Sequence, residues 1–189
     1  MTFANFLTLS RLALVPFFLV ALIVGESGWA LSLFCIAGAT DLIDGTVARK
    51  WSRPSKWGAI LDPLADKCLV QSCFIALGVI GVLPWWFVGL AFARDIIIVV
   101  GIIYLEYKAA QLPYRPTIVS KFATLFQLLV AILALVMLWR PYAELWGRPL
   151  SVYLSWAVYV AAALVLASGI KYVIMGFELL KQRRAHGAS

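Results

Sequence analysis

The sequence predicts an all-α integral membrane protein with six transmembrane helices, and three observations carry that prediction. Of the 189 residues 63% are apolar and 13% charged, with a mean hydropathy of +0.95, whereas a soluble domain is about half apolar and a quarter charged. The apolar residues gather in segments each long enough for roughly 30 Å of hydrocarbon at about 1.5 Å per residue. None of the segments alternates apolar with polar residues as a strand would, and a bilayer core leaves an open sheet edge unpaired, so the segments are helices.

The first segment runs over 6–24. Its start, MTFANFLTLSRLALVPFF, lacks the early basic stretch and small-residue cleavage site of a signal peptide, so it reads as a retained first helix. Gly25, Ser27 and Gly28 separate it from the second segment, 29–49, which stops before Ser52 and Pro54. The third covers 57–82. Within it Pro63 directly follows Asp62 and removes the backbone donor to Ala59, so a bend is expected between Gly58 and Asp66. Gly81 and Pro84 introduce the fourth segment, 85–107; Pro113 and Pro116 introduce the fifth, 118–139. Pro141, Gly147 and Pro149 lead into the sixth, 150–180, followed by the polar tail KQRRAHGAS. No linker is long enough to separate one domain from another and no internal repeat is evident, so 1–189 reads as a single domain unlike a transporter of inverted halves.

Charge then orients the helices. The formal net charge is +7; on a soluble protein it would suggest nucleic acid, but here it fits topology and anionic lipid, and no nucleic-acid partner is expected. Lys50, Arg53 and Lys56, then Lys108, Arg115 and Lys121, then Lys181, Arg183 and Arg184 mark one side, against Arg140 and Arg148 on the other. The positive-inside bias places both termini in the cytoplasm. Trp29, Trp85, Trp86, Trp139 and Trp146 sit at the opposite ends, as interfacial anchors do. Cys35, Cys68 and Cys73 have neither metal spacing nor pairing pattern and read as buried packing thiols. His186, in the tail, is assigned no catalytic role.

The acids are the informative residues. Asp41, Asp44, Asp62 and Asp66, four of the five aspartates, lie in the cytoplasmic halves of the second and third segments. A carboxylate at membrane depth costs a few kcal/mol or more without a cation, cavity or partner, and four together repel unless neutralised. A bound divalent metal neutralises them most economically. The spacings i,i+3 and i,i+4 set each pair on one helix face, and the short connection KWSRPSKW lets the two faces meet. An all-oxygen donor set without His or Cys suits Mg²⁺ or Mn²⁺, one ion or two. Gly45, Ala48 and Gly58 keep the surroundings small enough for a ligand to approach the backbone, although small residues also serve helix packing in membranes.

Taken together, Asp41-x-x-Asp44-Gly45-x-x-Ala48-Arg49, eight residues, and Gly58-x-x-x-Asp62-x-x-x-Asp66 resemble the signature of the CDP-alcohol phosphotransferases, membrane enzymes of phospholipid synthesis. The resemblance implies that an acceptor hydroxyl attacks the lipid-side phosphorus of a CDP-linked lipid and that CMP leaves. It implies metal ligation by Asp41, Asp44 and Asp62, with Asp66 completing the site and acting as general base. It further implies a nucleotide pocket shaped by Asp41, Asp44, Gly45, Ala48, Arg49 and Gly58, and a homodimer.

The acceptor is read from the rest of the chain. GAILDPLADK, FARDIIIVVG around Arg94 and Asp95, and RPTIVSKFATLFQ resemble the CMP-forming cardiolipin synthases, which join CDP-diacylglycerol to phosphatidylglycerol. The phosphatidylglycerophosphate synthases, whose acceptor is glycerol 3-phosphate, share the first stretch and the arginine of the second. Arg94, Arg115 and Lys121 are the basic residues expected near the acceptor's phosphate; a rival role for Arg94 is an ion pair with Asp95, and for the other two the setting of topology. Asn5, Thr8 and Arg11 open the first helix and either line the site's mouth or cap that helix. Two other classes remain: a cation channel with acid-lined path, and a membrane scaffold holding a structural metal. Neither requires Gly, Ala and Arg at fixed places among the acids. The lack of a targeting segment favours a bacterial inner membrane, with the site on the cytoplasmic side.

Overall fold

The computed structural model describes the backbone over 3–51, 58–107 and 117–186 and the side chains over 13–40, 67–101 and 117–176. Among the described residues it holds six α-helices: α1 (Phe3–Ile23), α2 (Ser27–Trp51), α3 (Gly58–Val79), α4 (Trp85–Tyr107), α5 (Ile118–Trp139) and α6 (Leu150–His186). α4 and α5 begin and end where the Pro and Gly punctuation places them. α6 instead continues six residues past the expected 180, to His186, because Lys, Gln, Arg and Ala all favour helix even after the apolar run has ended. α3 is helical on both sides of Pro63.

Two connections end in the same way. Gly25 and Gly81 have φ of 88° and 83°. Glu26 N–H donates to Ala21 O at 2.9 Å and Gly25 N–H to Leu22 O at 3.2 Å; Val82 to Leu77 and Gly81 to Gly78 repeat that pair at 2.9 and 3.1 Å. This is a glycine C-cap that satisfies the last carbonyls of α1 and α3.

The chain forms two compact units. One consists of Met1–Pro84 and Ala131–Leu154. In it α1 packs against α2 and α3, burying Val15, Phe18 and Leu22 with Ala30, Phe34 and Ala37 of α2 and Leu69, Cys73, Phe74 and Leu77 of α3. These recur at three- and four-residue steps, one stripe per helix. The Phe18 and Phe34 rings meet at 6.0 Å. Gly28 lies under Trp139, where an added Cβ would stand 2.9 Å from the indole Nε1. The cysteines are free, but only Cys73 is buried, Cys68 being half-buried and Cys35 exposed: Phe34, the neighbour of Cys35, takes the inward position, and one residue turns a helix by about 100°.

The other unit consists of Trp85–Val130 and Ser155–Ser189. Phe87, Val88, Ala91 and Arg94 of α4, Ala123, Gln127 and Val130 of α5, and Ala157, Ala161, Val165 and Ser168 of α6 are buried. Trp86 stacks on Tyr159 at 5.9 Å.

Among the described residues two helical segments, Ile118–Trp139 and Leu150–Gly176, are long and apolar enough to cross a bilayer, with mean hydropathies of 2.4 and 2.0. The portions of α1, α2 and α3 whose side chains are described, Ala13–Ile23, Ser27–Thr40 and Lys67–Val79, are apolar as well. Phe122, Leu125 and Leu129 on α5 and Trp156, Leu166 and Ile170 on α6 face outward, an apolar surface that suits lipid and not water.

One element departs from the all-α expectation. Between α5 and α6, β1 (Glu144–Leu145) and β2 (Arg148–Pro149) pair antiparallel. Trp146 and Gly147 turn the chain with φ of 50° and 71°, the two left-handed residues that a two-residue hairpin of matching twist requires. Tyr153 Oη–H donates to Leu145 O at 2.9 Å and Leu150 N–H to Ala143 O at 3.1 Å, which closes the connection with its own hydrogen bonds.

Candidate functional site

The acidic segments lie on two consecutive helices. Asp41, Asp44, Gly45, Ala48 and Arg49 belong to α2, and Gly58, Asp62 and Asp66 to α3. Because the backbone is helical at these positions, Asp41 and Asp44 are about 4.5 Å apart along their axis and Asp62 and Asp66 about 6 Å. α1, which carries Asn5, Thr8 and Arg11, supports both helices. The side chains of all these residues lie outside the described ones. Among the described residues no group of three or more His, Cys, Asp or Glu comes together; the four aspartates are not among them. Their donor set fits a hard divalent cation: carboxylates at one-turn intervals on two helices offer the oxygens that Mg²⁺ and Mn²⁺ take.

Arg94 is described in full. Its side chain is 5% exposed, and Nη1 donates to Asp95 Oδ1 at 2.7 Å, Asp95 being 13% exposed. Nη2 is surrounded by Ser120 Oγ, Ser120 O at 3.4 Å and Ser168 Oγ at 3.3 Å. Nε is buried without a hydrogen-bond partner. The arginine of α4 therefore joins α5 and α6 through their serines, in an apolar setting where each such bond competes with little water. The ion pair with Asp95, the rival role considered for Arg94, is present.

Ser120 sits in the first turn of α5. Its N–H donates to Thr117 Oγ1 at 3.2 Å, Lys121 N–H to Thr117 O at 3.2 Å, and Thr124 Oγ1–H to Ser120 O at 3.1 Å. Thr117 is thus the N-cap and Ser120 the third helical residue, the pairing through which a cap works. Lys121 is exposed. Arg115 lies outside the described residues. Reading the sequence for charge overlooked Ser120 and Ser168. The available signal was position: Ser168 continues the stripe Ala157, Ala161, Val165 on α6, and a buried arginine needs acceptors from its neighbours.

Known proteins resemble the chain along most of its length. The family model described as CDP-alcohol phosphatidyltransferase matches residues 1–168. A probable CMP-forming cardiolipin synthase of Drosophila melanogaster is 35% identical, over 68% of this chain and 45% of that protein. The CMP-forming cardiolipin synthase of Homo sapiens is 29% identical, over 93% of this chain and 62% of its own length. A probable phosphatidylglycerophosphate synthase of Mycobacterium tuberculosis is 42% identical, over 49% of this chain and 47% of that protein. The chain thus spans about half the length of these relatives.

Proposed function

The chain belongs to the CDP-alcohol phosphatidyltransferase family, and from that premise we propose that it transfers the phosphatidyl group of CDP-diacylglycerol to a hydroxyl of phosphatidylglycerol, forming cardiolipin and CMP. Family membership and the two apolar spans make it a membrane protein. One observation carries the reading: the eight signature positions from Asp41 to Asp66 fall on two consecutive helices of a chain similar to cardiolipin synthases along most of its length. The second reading, glycerol 3-phosphate as acceptor, rests on similarity to the phosphatidylglycerophosphate synthase over half the chain.

In this reading residues 1–189 act as one functional domain, and Asp41, Asp44, Asp62 and Asp66 hold one or two Mg²⁺ or Mn²⁺ ions. When bound, the metal offsets the negative charge that develops on the pyrophosphate as CMP departs. Asp41 and Asp44, with Gly45, Ala48, Arg49 and Gly58, receive the cytidine diphosphate, their small residues leaving room beside the backbone. Asp66 accepts the proton of the acceptor hydroxyl at its carboxylate as the oxygen bonds to the lipid-side phosphorus and the phosphoanhydride breaks. A carboxylate among cations is a weak base, so orientation of the hydroxyl supplies much of the rate. Arg115 and Lys121 serve the phosphate of the acceptor, whereas Arg94, also expected there from the sequence, is engaged by Asp95, Ser120 and Ser168. All six helices cross the membrane, the termini and the site face the cytoplasm of a bacterial inner membrane, and the protein works as a homodimer. The positive-inside pattern of Lys and Arg supports that orientation.

A product assay tests the reaction. Purified protein receives CDP-diacylglycerol and Mg²⁺ or Mn²⁺, with phosphatidylglycerol in one tube and glycerol 3-phosphate in another. Cardiolipin and CMP in the first tube is the expected result; phosphatidylglycerophosphate in the second alone would transfer the acceptor assignment to the second reading, and no CMP in either would overturn both.

A further inference from the structure

A guanidinium recognises phosphate through a two-pronged face, either Nη1 with Nη2 or Nε with Nη2. Both faces of Arg94 need Nη2. That nitrogen has two hydrogens and three oxygens around it, Ser120 Oγ, Ser120 O and Ser168 Oγ, so neither face is open. Nη1 is meanwhile bound to the Asp95 carboxylate, which offsets the charge. The residue is 4% exposed. Lys121, one residue beyond Ser120, is exposed beside the same turn.

We infer that Ser120 and Ser168 are positioning residues that, with Asp95, commit Arg94 to fixing the first turn of α5, so that the phosphate of the anionic acceptor is met by Lys121 and not by Arg94. This rests on the phosphatidyltransferase reading and divides labour among its basic residues. Thr117 caps the turn along the chain; Arg94 holds it from α4 through the Ser120 hydroxyl and carbonyl. Ser168, fully buried on α6, keeps Nη2 aimed at Ser120. A first turn held at one end only by its cap frays readily, and fraying would displace the Lys121 ammonium. Arg94 thereby acts on the acceptor at one remove.

The test uses the full chain in detergent, with phosphatidylglycerol and glycerol 3-phosphate assayed separately against CDP-diacylglycerol, and a second readout, amide hydrogen exchange over 118–121, that needs no turnover. Lys121→Gln should raise the KM for the acceptor about tenfold, the scale of a lost hydrogen bond to a charged group, and leave exchange unchanged. Ser120→Ala and Ser168→Ala should each raise acceptor KM several-fold, with kcat and the KM for CDP-diacylglycerol unmoved, and should speed exchange over 118–121. Ser120→Thr, which keeps the hydroxyl, should restore both readouts. Arg94→Lys should behave as the serine variants do, because an ammonium cannot span Asp95 and both serines; should it fail to fold, the serine variants still decide. The inference is overturned if the serine variants leave exchange at the parent rate, if they shift both substrates' KM alike, or if Lys121→Gln leaves acceptor KM unchanged. Silence of the unaltered protein with both acceptors would instead sink the phosphatidyltransferase reading, and the exchange data would still decide the clamp.

Discussion

Two groups of charges sit in this apolar chain, and they are built on opposite plans. Asp95 has Arg94 as its chain neighbour and bonds to it at 2.7 Å, and serines of two further helices complete the set. Asp41, Asp44, Asp62 and Asp66 each have another acid three or four residues away, with Arg49 and Lys67 as basic residues of the same helices. The first group is balanced by contacts within the fold and so works as structure; the second, its acids repeated along two helices, is the one that in the proposed reading takes a divalent cation. The difference shows that burial of charge alone does not mark a catalytic centre in a membrane protein. What distinguishes the proposed centre is the repetition of acids at about one-turn intervals on two helices, a spacing that the Arg94–Asp95 pair lacks.

Four substitutions or treatments would break or sharpen that contrast. The largest effect belongs to Asp66→Asn, which keeps the shape of the side chain and removes a base. Turnover should fall at least about a thousandfold, within the range for a lost general base, while binding of CDP-diacylglycerol to the detergent-solubilised variant stays measurable; normal CMP release would remove Asp66 from its role. Chelation comes next: EDTA should stop CMP release, and added Mg²⁺ or Mn²⁺ should restore it. Full activity in EDTA would mean that the four acids are compensated by the protein itself, and the contrast would vanish.

For the mixed cluster the expected effect is on stability. Arg94→Ala leaves the largely buried Asp95 without its guanidinium, and loss of one member of a buried pair costs about 3 kcal/mol. Thermal unfolding in detergent should show this, and Arg94→Ala combined with Asp95→Ala should recover some of the loss; a double variant less stable than the single would argue that Asp95 has a larger role elsewhere. The smallest effect is that of salt. Acceptor KM should rise with ionic strength if exposed Lys121 meets the phosphate, because exposed charges are screened over about 8 Å at physiological salt, whereas the buried Arg94 pair should leave the unfolding temperature nearly salt-independent. Acceptor KM that ignores salt would count against Lys121.

Much of this was legible in the sequence, for reasons that differ by residue. α4 and α5 were readable to the residue because Pro84 and Pro116 stand immediately or closely before them, and proline stops helices by a local rule. The end of α6 was not, because the apolar run and the helix end at different places, the first set by the bilayer and the second by propensity. The hairpin at Trp146 and Gly147 escaped because Trp is a rare occupant of a left-handed position; only the glycine advertised a turn. The acids declared themselves by rarity, five aspartates in an apolar chain. Ser120 and Ser168 did not, since serine is common and its role here depends on which helix face meets Arg94, a fact of packing and not of pattern.

The length of α6 bears on how the molecule stands in its membrane. At 37 residues it is about 55 Å long, whereas a bilayer with its headgroups measures about 40–45 Å, and its apolar run ends at Leu180, before the polar tail. The remaining turns bear Lys181, Arg183 and Arg184, and in the proposed topology they extend α6 past the hydrocarbon toward water. A fluorophore fixed near 186 would be carried about 9 Å beyond the last apolar turn, and its accessibility to a membrane-impermeant quencher would report directly on which face of the bilayer the end of α6 occupies.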